Sequence, residues 1–110
     1  MTFYESIKPG ERNKMIKHVV VLKFKKDIHE AGIGDLEKKL GALPGAIPEI
    51  KSYEFGRDVL RSERSYDFAL VSVFDDTESL KRYQIHPRHQ EVLKTVKDLC
   101  ESVIVADFVF

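Results

Sequence analysis

The amino-acid sequence predicts an α+β fold in which helices cover one face of an antiparallel sheet, and three observations carry that expectation. Apolar residues alternate at period two over 15–25 and 66–74, and they recur at helical spacing over 33–43 and 89–100. The segments follow in the order strand, helix, strand, strand, helices, strand, which suits a sheet layered against helices. A chain of 110 residues makes one domain with a single core.

The first strand, 15–25, directs Ile16, His18, Val20, Leu22 and Phe24 to one face and Lys17, Val19, Val21 and Lys23 to the other. Two valines at the centre of the second face predict that it too is partly buried. Over 30–43, Ile33, Leu36, Leu40 and Leu43 form an amphipathic stripe backed by Asp35, Glu37, Lys38 and Lys39. Gly32 and Gly34 weaken the start of this helix, and Pro44-Gly45-Ala46-Ile47-Pro48 is expected to stop it.

A short strand over 50–57 carries Tyr53 and Phe55 on one face and runs into Gly56-Arg57-Asp58, read as a turn or an interface salt bridge. The polar stretch 61–65 is a hairpin loop. A third strand, 66–74, sets Tyr66, Phe68, Leu70 and Phe74 against Ala69, Val71 and Val73. The aromatic residues Phe24, Tyr53, Phe55, Phe68 and Phe74 are read as core.

Asp75-Asp76-Thr77-Glu78 is an acidic helix start with a carboxylate three residues on, and Leu80 and Tyr83 share one side of the helix that follows. Pro87 suits the first turn of the next helix, which leaves His86 at its cap. Counted from His89, apolar residues fall at Val92, Leu93, Val96 and Cys100, so the imidazole of His89 shares the buried stripe. The segment 102–110 is apolar almost throughout and closes the chain as a strand.

Eighteen basic and eighteen acidic residues cancel, so no overall positive field favours a phosphate backbone and nucleic acid is not an expected partner. The local run Lys14, Lys17, Lys23, Lys25 and Lys26 is read as solvated lysines protecting a sheet edge. A single cysteine, Cys100, cannot form an internal disulfide and is read as structural, in keeping with a reducing cytoplasm. No apolar run is long enough for a membrane span, and residues 1–14 have the turn-like composition of an N-terminal extension ahead of a domain over 15–110.

Helices in this chain cover only one side of the sheet. Val19, Val21, Ala69, Val71 and Val73 therefore form a second apolar surface, most economically covered by another copy of the same surface in a homodimer. On the helical side, His18, Tyr83 and His89 are polar groups directed inward, and inward polar groups need partners or a ligand.

Met15-Ile-Lys-His-Val-Val-Val-Leu-Lys-Phe, Ala42-Leu-Pro-Gly-Ala-Ile-Pro-Glu-Ile, Phe55-Gly-Arg-Asp-Val and Tyr83-Gln-Ile-His-Pro-Arg-His resemble the stress-responsive dimeric α/β-barrel family over residues 15 to 110. The resemblance implies a ferredoxin-like subunit whose sheet packs on that of a second subunit to form a barrel. The family holds proteins named only for stress response and a plant enzyme that closes a polyketide ring by aldol condensation. Carried over from that enzyme, the histidine of the opening strand falls on His18, the tyrosine ahead of the His-Pro motif on Tyr83, and the histidine closing the motif on His89.

The resemblance implies His89 as general base and Tyr83 as hydrogen-bond donor to a carbonyl oxygen, with no cofactor. Barrels of this shape resemble cofactor-independent cyclases and monooxygenases alike. The expectation is a small, mostly apolar pocket lined by His18, Tyr83 and His89 that binds a small organic molecule. The alternative is a non-catalytic stress-associated protein in which a Tyr–His hydrogen bond pins one helix to the next. His86 and His89 together with His18 are the alternative as a metal site, but the His-x-x-His pair at a helix start lacks a nearby acidic third ligand, and His86 is better used as a cap.

Overall fold

A computed structural model describes residues 15–110; the N-terminal extension over 1–14 lies outside the described residues. The order is β1 (Ile16–Phe24), α1 (Glu30–Gly41), α2 (Leu43–Ala46), β2 (Ser52–Arg57), β3 (Phe68–Phe74), α3 (Thr77–Ile85), α4 (Pro87–Leu99) and β4 (Cys100–Val109). The strands form one sheet in the order β2-β3-β1-β4, antiparallel at every pairing. This is the expected ferredoxin-like α+β arrangement.

The alternation in β1 and β3 sorts the core. Ile16, His18 and Leu22 from β1 and Phe68, Leu70, Ser72 and Phe74 from β3 are buried on the helical face. They pack with Leu36 and Leu40 of α1, Leu80 and Tyr83 of α3, and Val92 and Leu99 of α4. Full burial of a side chain of this size contributes about 1.5–3 kcal/mol, so this single layer holds the domain together. The opposite face carries Val19, Val21, Ala69 and Val71, and register brings Ile104, Ala106 and Phe108 of β4 beside them. Ile104 and Phe108 remain 51% and 48% exposed, so the apolar patterning leaves a greasy sheet surface that the helices do not reach.

Several local expectations are corrected by the tertiary arrangement. β1 is interior, between β3 and β4, so its lysines do not protect an edge; Lys17 and Lys23 stand on the open face. Pro44 and Gly45 do not end helical structure outright, because proline fits a first turn and α2 forms a further turn around Pro44 before Ile47 turns extended. β3 begins at Phe68 and leaves Tyr66 outside it, its hydroxyl bonded to Ser102. Arg57 makes its ion pairs within the subunit, its guanidinium reaching Glu30 at 2.6 Å and Glu37 at 2.7 Å and tying β2 to α1, while Asp58 accepts the backbone N–H of Arg61 in the turn.

The helix starts follow the sequence closely. The Asp76 carboxylate accepts the N–H of Ser79 at 2.8 Å, capping α3, and the Nδ1 of His86 accepts the N–H of Arg88 at 3.1 Å, capping α4 ahead of Pro87. Cys100 is buried where α4 passes into β4, and burial pushes its thiol up to about 11, which keeps it protonated and unreactive near neutrality.

Candidate functional site

The break between α3 and α4 creates the chemistry of the site. The carbonyl of Gln84 would receive the N–H of Arg88 if the helix ran on, but Pro87 interrupts it and Arg88 donates to His86 instead. Gln84 is left with an acceptor and no helical donor. The Nδ1 of His89 fills that role at 3.1 Å, together with the side-chain amide of Gln90 at 2.6 Å. Since a carbonyl only accepts, Nδ1 carries the hydrogen and Nε2 keeps its lone pair.

Tyr83 lies on the inner side of α3, where its ring packs on Phe74 and on His89 with centroids 4.9 and 4.2 Å away. Its hydroxyl meets that of Tyr53, on β2, at 2.8 Å. The hydrogen bond expected between tyrosine and histidine is therefore replaced: Tyr83 bonds to Tyr53, His89 bonds to Gln84, and the two rings touch only through their faces and edges.

His18 sits near the start of β1 with only 5% of its surface exposed, directly across from Asp107 of β4. Its Nδ1 donates to the Asp107 carboxylate, which can only accept. The ring is edge-on to Tyr83 at 6.2 Å between centroids.

These three side chains border one cavity of about 430 Å³ between the sheet and α3 and α4. Its walls are otherwise apolar, built from Val20 and Leu22 of β1, Val92 and Val96 of α4, and Val103 and Val105 of β4, while Gln84, Ile85 and Gln90 stand at its border. The volume is within the range of small-molecule sites. His18, Tyr83 and His89 thus lie on the wall of one largely apolar cavity.

The electrostatics follow from burial. Loss of water around His89 holds its imidazole below the ordinary histidine value, against the opposing pull of the Gln84 carbonyl, and the neighbouring His18 and His86 act in the same direction as burial. The neutral, proton-accepting form is favoured. Burial pushes the Tyr83 phenol up to about 12, partly offset by its bond to Tyr53, so Tyr83 is a donor rather than a phenolate near neutrality. Tyr53 is raised further by its own burial and by Tyr83.

Among the described residues no three or more His, Cys, Asp or Glu side chains gather as metal ligands, and the Nδ1 of His86 is occupied by its cap. Sequence reading missed Tyr53, Gln84 and Asp107. Tyr53 was readable only as a core aromatic. Asp107 gave a signal, a lone acid in an otherwise apolar closing strand, but the register that sets it against His18 joins residues 89 positions apart.

Comparison with known proteins agrees with this architecture. The family model described as the stress responsive A/B barrel domain matches residues 16–110. Olivetolic acid cyclase of Cannabis sativa is 30% identical over 95 residues, which cover 84% of this chain and 94% of the cyclase. A dimeric ferredoxin-like protein of unknown function from Thermobifida fusca superposes with a TM-score of 0.82 at 27% identity, covering 90% of this chain and 93% of that one. Hydroxynitrile lyase from Passiflora edulis shares the fold, with a TM-score of 0.80 at 20% identity over 89% of this chain and 94% of the lyase. With a match that runs from the first residue of β1 to the last residue of the chain, this protein belongs to the stress responsive A/B barrel domain family.

Proposed function

We propose that the protein is a homodimer that binds a small organic molecule in the cavity and, without a cofactor, moves a proton on carbon next to a carbonyl. His89 takes the proton through Nε2, the electron pair of the C–H bond passes to the carbonyl oxygen, and Tyr83 donates a hydrogen bond to the resulting enolate. In a substrate with a second carbonyl, the enolate carbon then attacks that carbonyl and the proton on His89 is returned to the new alkoxide. His18, held by Asp107 through Nδ1, is a third polar group of the chamber, and its other ring nitrogen accepts a hydrogen bond from a hydroxyl of the ligand.

The observation that carries this reading is the bond from His89 to Gln84, which commits Nδ1–H to a carbonyl and leaves a lone pair on a ring that borders an apolar cavity. Similarity to olivetolic acid cyclase supports the same reaction class. The exposed Ile104 and Phe108 on the open sheet face, and the dimeric Thermobifida fusca relative, support pairing of two copies through that face. The single buried thiol is in keeping with the cytoplasm, and the family's description supports a place in stress response.

The test is hydrogen–deuterium exchange at the α-carbon of alkyl and aryl ketones and β-diketones, followed by proton NMR in heavy water. Exchange above the buffer rate that falls by about 100-fold or more in His89→Gln, with folding retained, is the expected result. One observation favours the non-catalytic alternative: among the described residues no buried side-chain nitrogen or oxygen lacks a partner. Under that reading the whole panel exchanges at the buffer rate and His89→Gln changes stability alone.

A further inference from the structure

We propose that Tyr53 is a positioning residue that fixes the direction in which Tyr83 donates its proton. The inference deepens the proposed proton-transfer function and rests on that reading for its catalytic meaning, but its geometry stands by itself. The two hydroxyl oxygens are 2.8 Å apart, and each could in principle be the donor. Their surroundings break the symmetry. Tyr83 borders the cavity, whereas Tyr53 lies behind it on β2 and is not part of the cavity wall.

Among the described residues Tyr53 has Tyr83 as its single hydrogen-bond partner. If Tyr83 donated to Tyr53, the Tyr53 hydrogen would be left without an acceptor in a partly buried aromatic setting, between the rings of Phe55 and Tyr83. If Tyr53 donates, its hydrogen is satisfied and the hydrogen of Tyr83 is released toward the chamber. With a ligand oxygen in the chamber to receive the Tyr83 hydrogen, the second arrangement strands neither hydroxyl hydrogen, so it is the one the liganded site adopts.

A hydroxyl that accepts one hydrogen bond becomes a better donor of the next, because each bond polarises the other. Tyr53 thus makes Tyr83 a stronger donor to a ligand oxygen and prevents it from turning away into the core. The substrate class that benefits carries an oxygen on which negative charge builds during reaction, a carbonyl becoming an enolate or alkoxide. The shifts of the two phenols agree with this direction: the bond lowers Tyr83 and raises Tyr53.

The test replaces Tyr83 with 3,5-difluorotyrosine, a phenol acidic enough to titrate where the protein is stable, and reads its ionisation by absorbance in the otherwise native chain and in Tyr53→Phe. Loss of the donor is expected to raise the midpoint at position 83 by about one pH unit, a tenfold weaker ionisation. An unchanged or lowered midpoint overturns the proposal. Tyr53→Met removes the same hydroxyl with a flexible apolar side chain and gives the same reading should the phenylalanine variant fold poorly. In the ketone exchange assay Tyr53→Phe is expected to lower kcat about 3–10-fold with KM kept, and to add no further loss to Tyr83→Phe. A raised midpoint with no exchange by any variant leaves the relay standing and sinks the proton-transfer function; exchange that depends on His89 with an unmoved midpoint does the reverse.

Discussion

The rings of Tyr83 and His89 rest against each other with centroids 4.2 Å apart and planes 43° from parallel. The contact spans the junction of α3 and α4, so the candidate donor and the candidate base form one packed unit that the Pro87 break holds in place. Packing on a phenol strips water from one side of the imidazole. That desolvation is the main reason the neutral form of His89 is favoured.

A pH dependence of stability follows from the same burial. The folded imidazole of His89 binds a proton less readily than the unfolded one, whose pKa is about 6.5, so below that value the unfolded chain takes up more protons. The contribution of His89 is complete above about pH 7 and is lost as pH falls through the folded value. Urea denaturation at about pH 7.5 and about pH 5.5 should show a fall in midpoint that is smaller in His89→Gln, which has no imidazole to charge. An equal fall in both proteins contradicts the assignment.

The His18–Asp107 pair joins the interior strand β1 to the edge strand β4. Asp107→Ala leaves a ring N–H of a buried imidazole without its acceptor and should destabilise by about 1–3 kcal/mol, toward the lower end because the Asp107 side chain is 38% exposed and water enters there. Asp107→Asn retains an acceptor oxygen and should lose less. Denaturant midpoints of the two variants decide it, and a larger loss in the asparagine variant is incompatible with this role.

Two glycines of α1 differ in what surrounds them. A Cβ on Gly34 meets nothing within 4 Å, so Gly34→Ala should gain the helix-propensity difference, about 0.8–1 kcal/mol. A Cβ on Gly32 lies 3.0 Å from Cδ2 of Leu99, so Gly32→Ala must displace a buried leucine and should gain less or lose stability. Thermal melts of the two single variants rank them; the opposite order excludes the packing seen between α1 and the end of α4.

Ile104 stands on the open sheet face beside Val21. If that face joins two copies about a two-fold axis, Ile104→Glu places a charge in an apolar contact and should shift sedimentation from dimer to monomer while the melting temperature of the subunit stays within a few degrees. A native protein that sediments as a monomer at tens of micromolar, or a variant that stays dimeric, rules the face out as the interface.

The amino-acid sequence by itself determined the elements and the sides they present. Alternation through Ile16, His18, Val20 and Leu22 named the helical face of β1, the spacing of Leu36 and Leu40 named the buried stripe of α1, and His86-Pro87 marked the start of α4. These are local properties: two- and 3.6-residue periods and a missing N–H act within a few residues, so they are readable without knowing what lies across the core. Long-range partners are different. That Asp107 meets His18, that Tyr53 meets Tyr83, and that Arg57 turns to Glu30 and Glu37 depended on strand register and on how helices settle over the sheet. Only the tertiary structure decided those pairings, because they join residues whose separation along the chain carries no information about their distance in space.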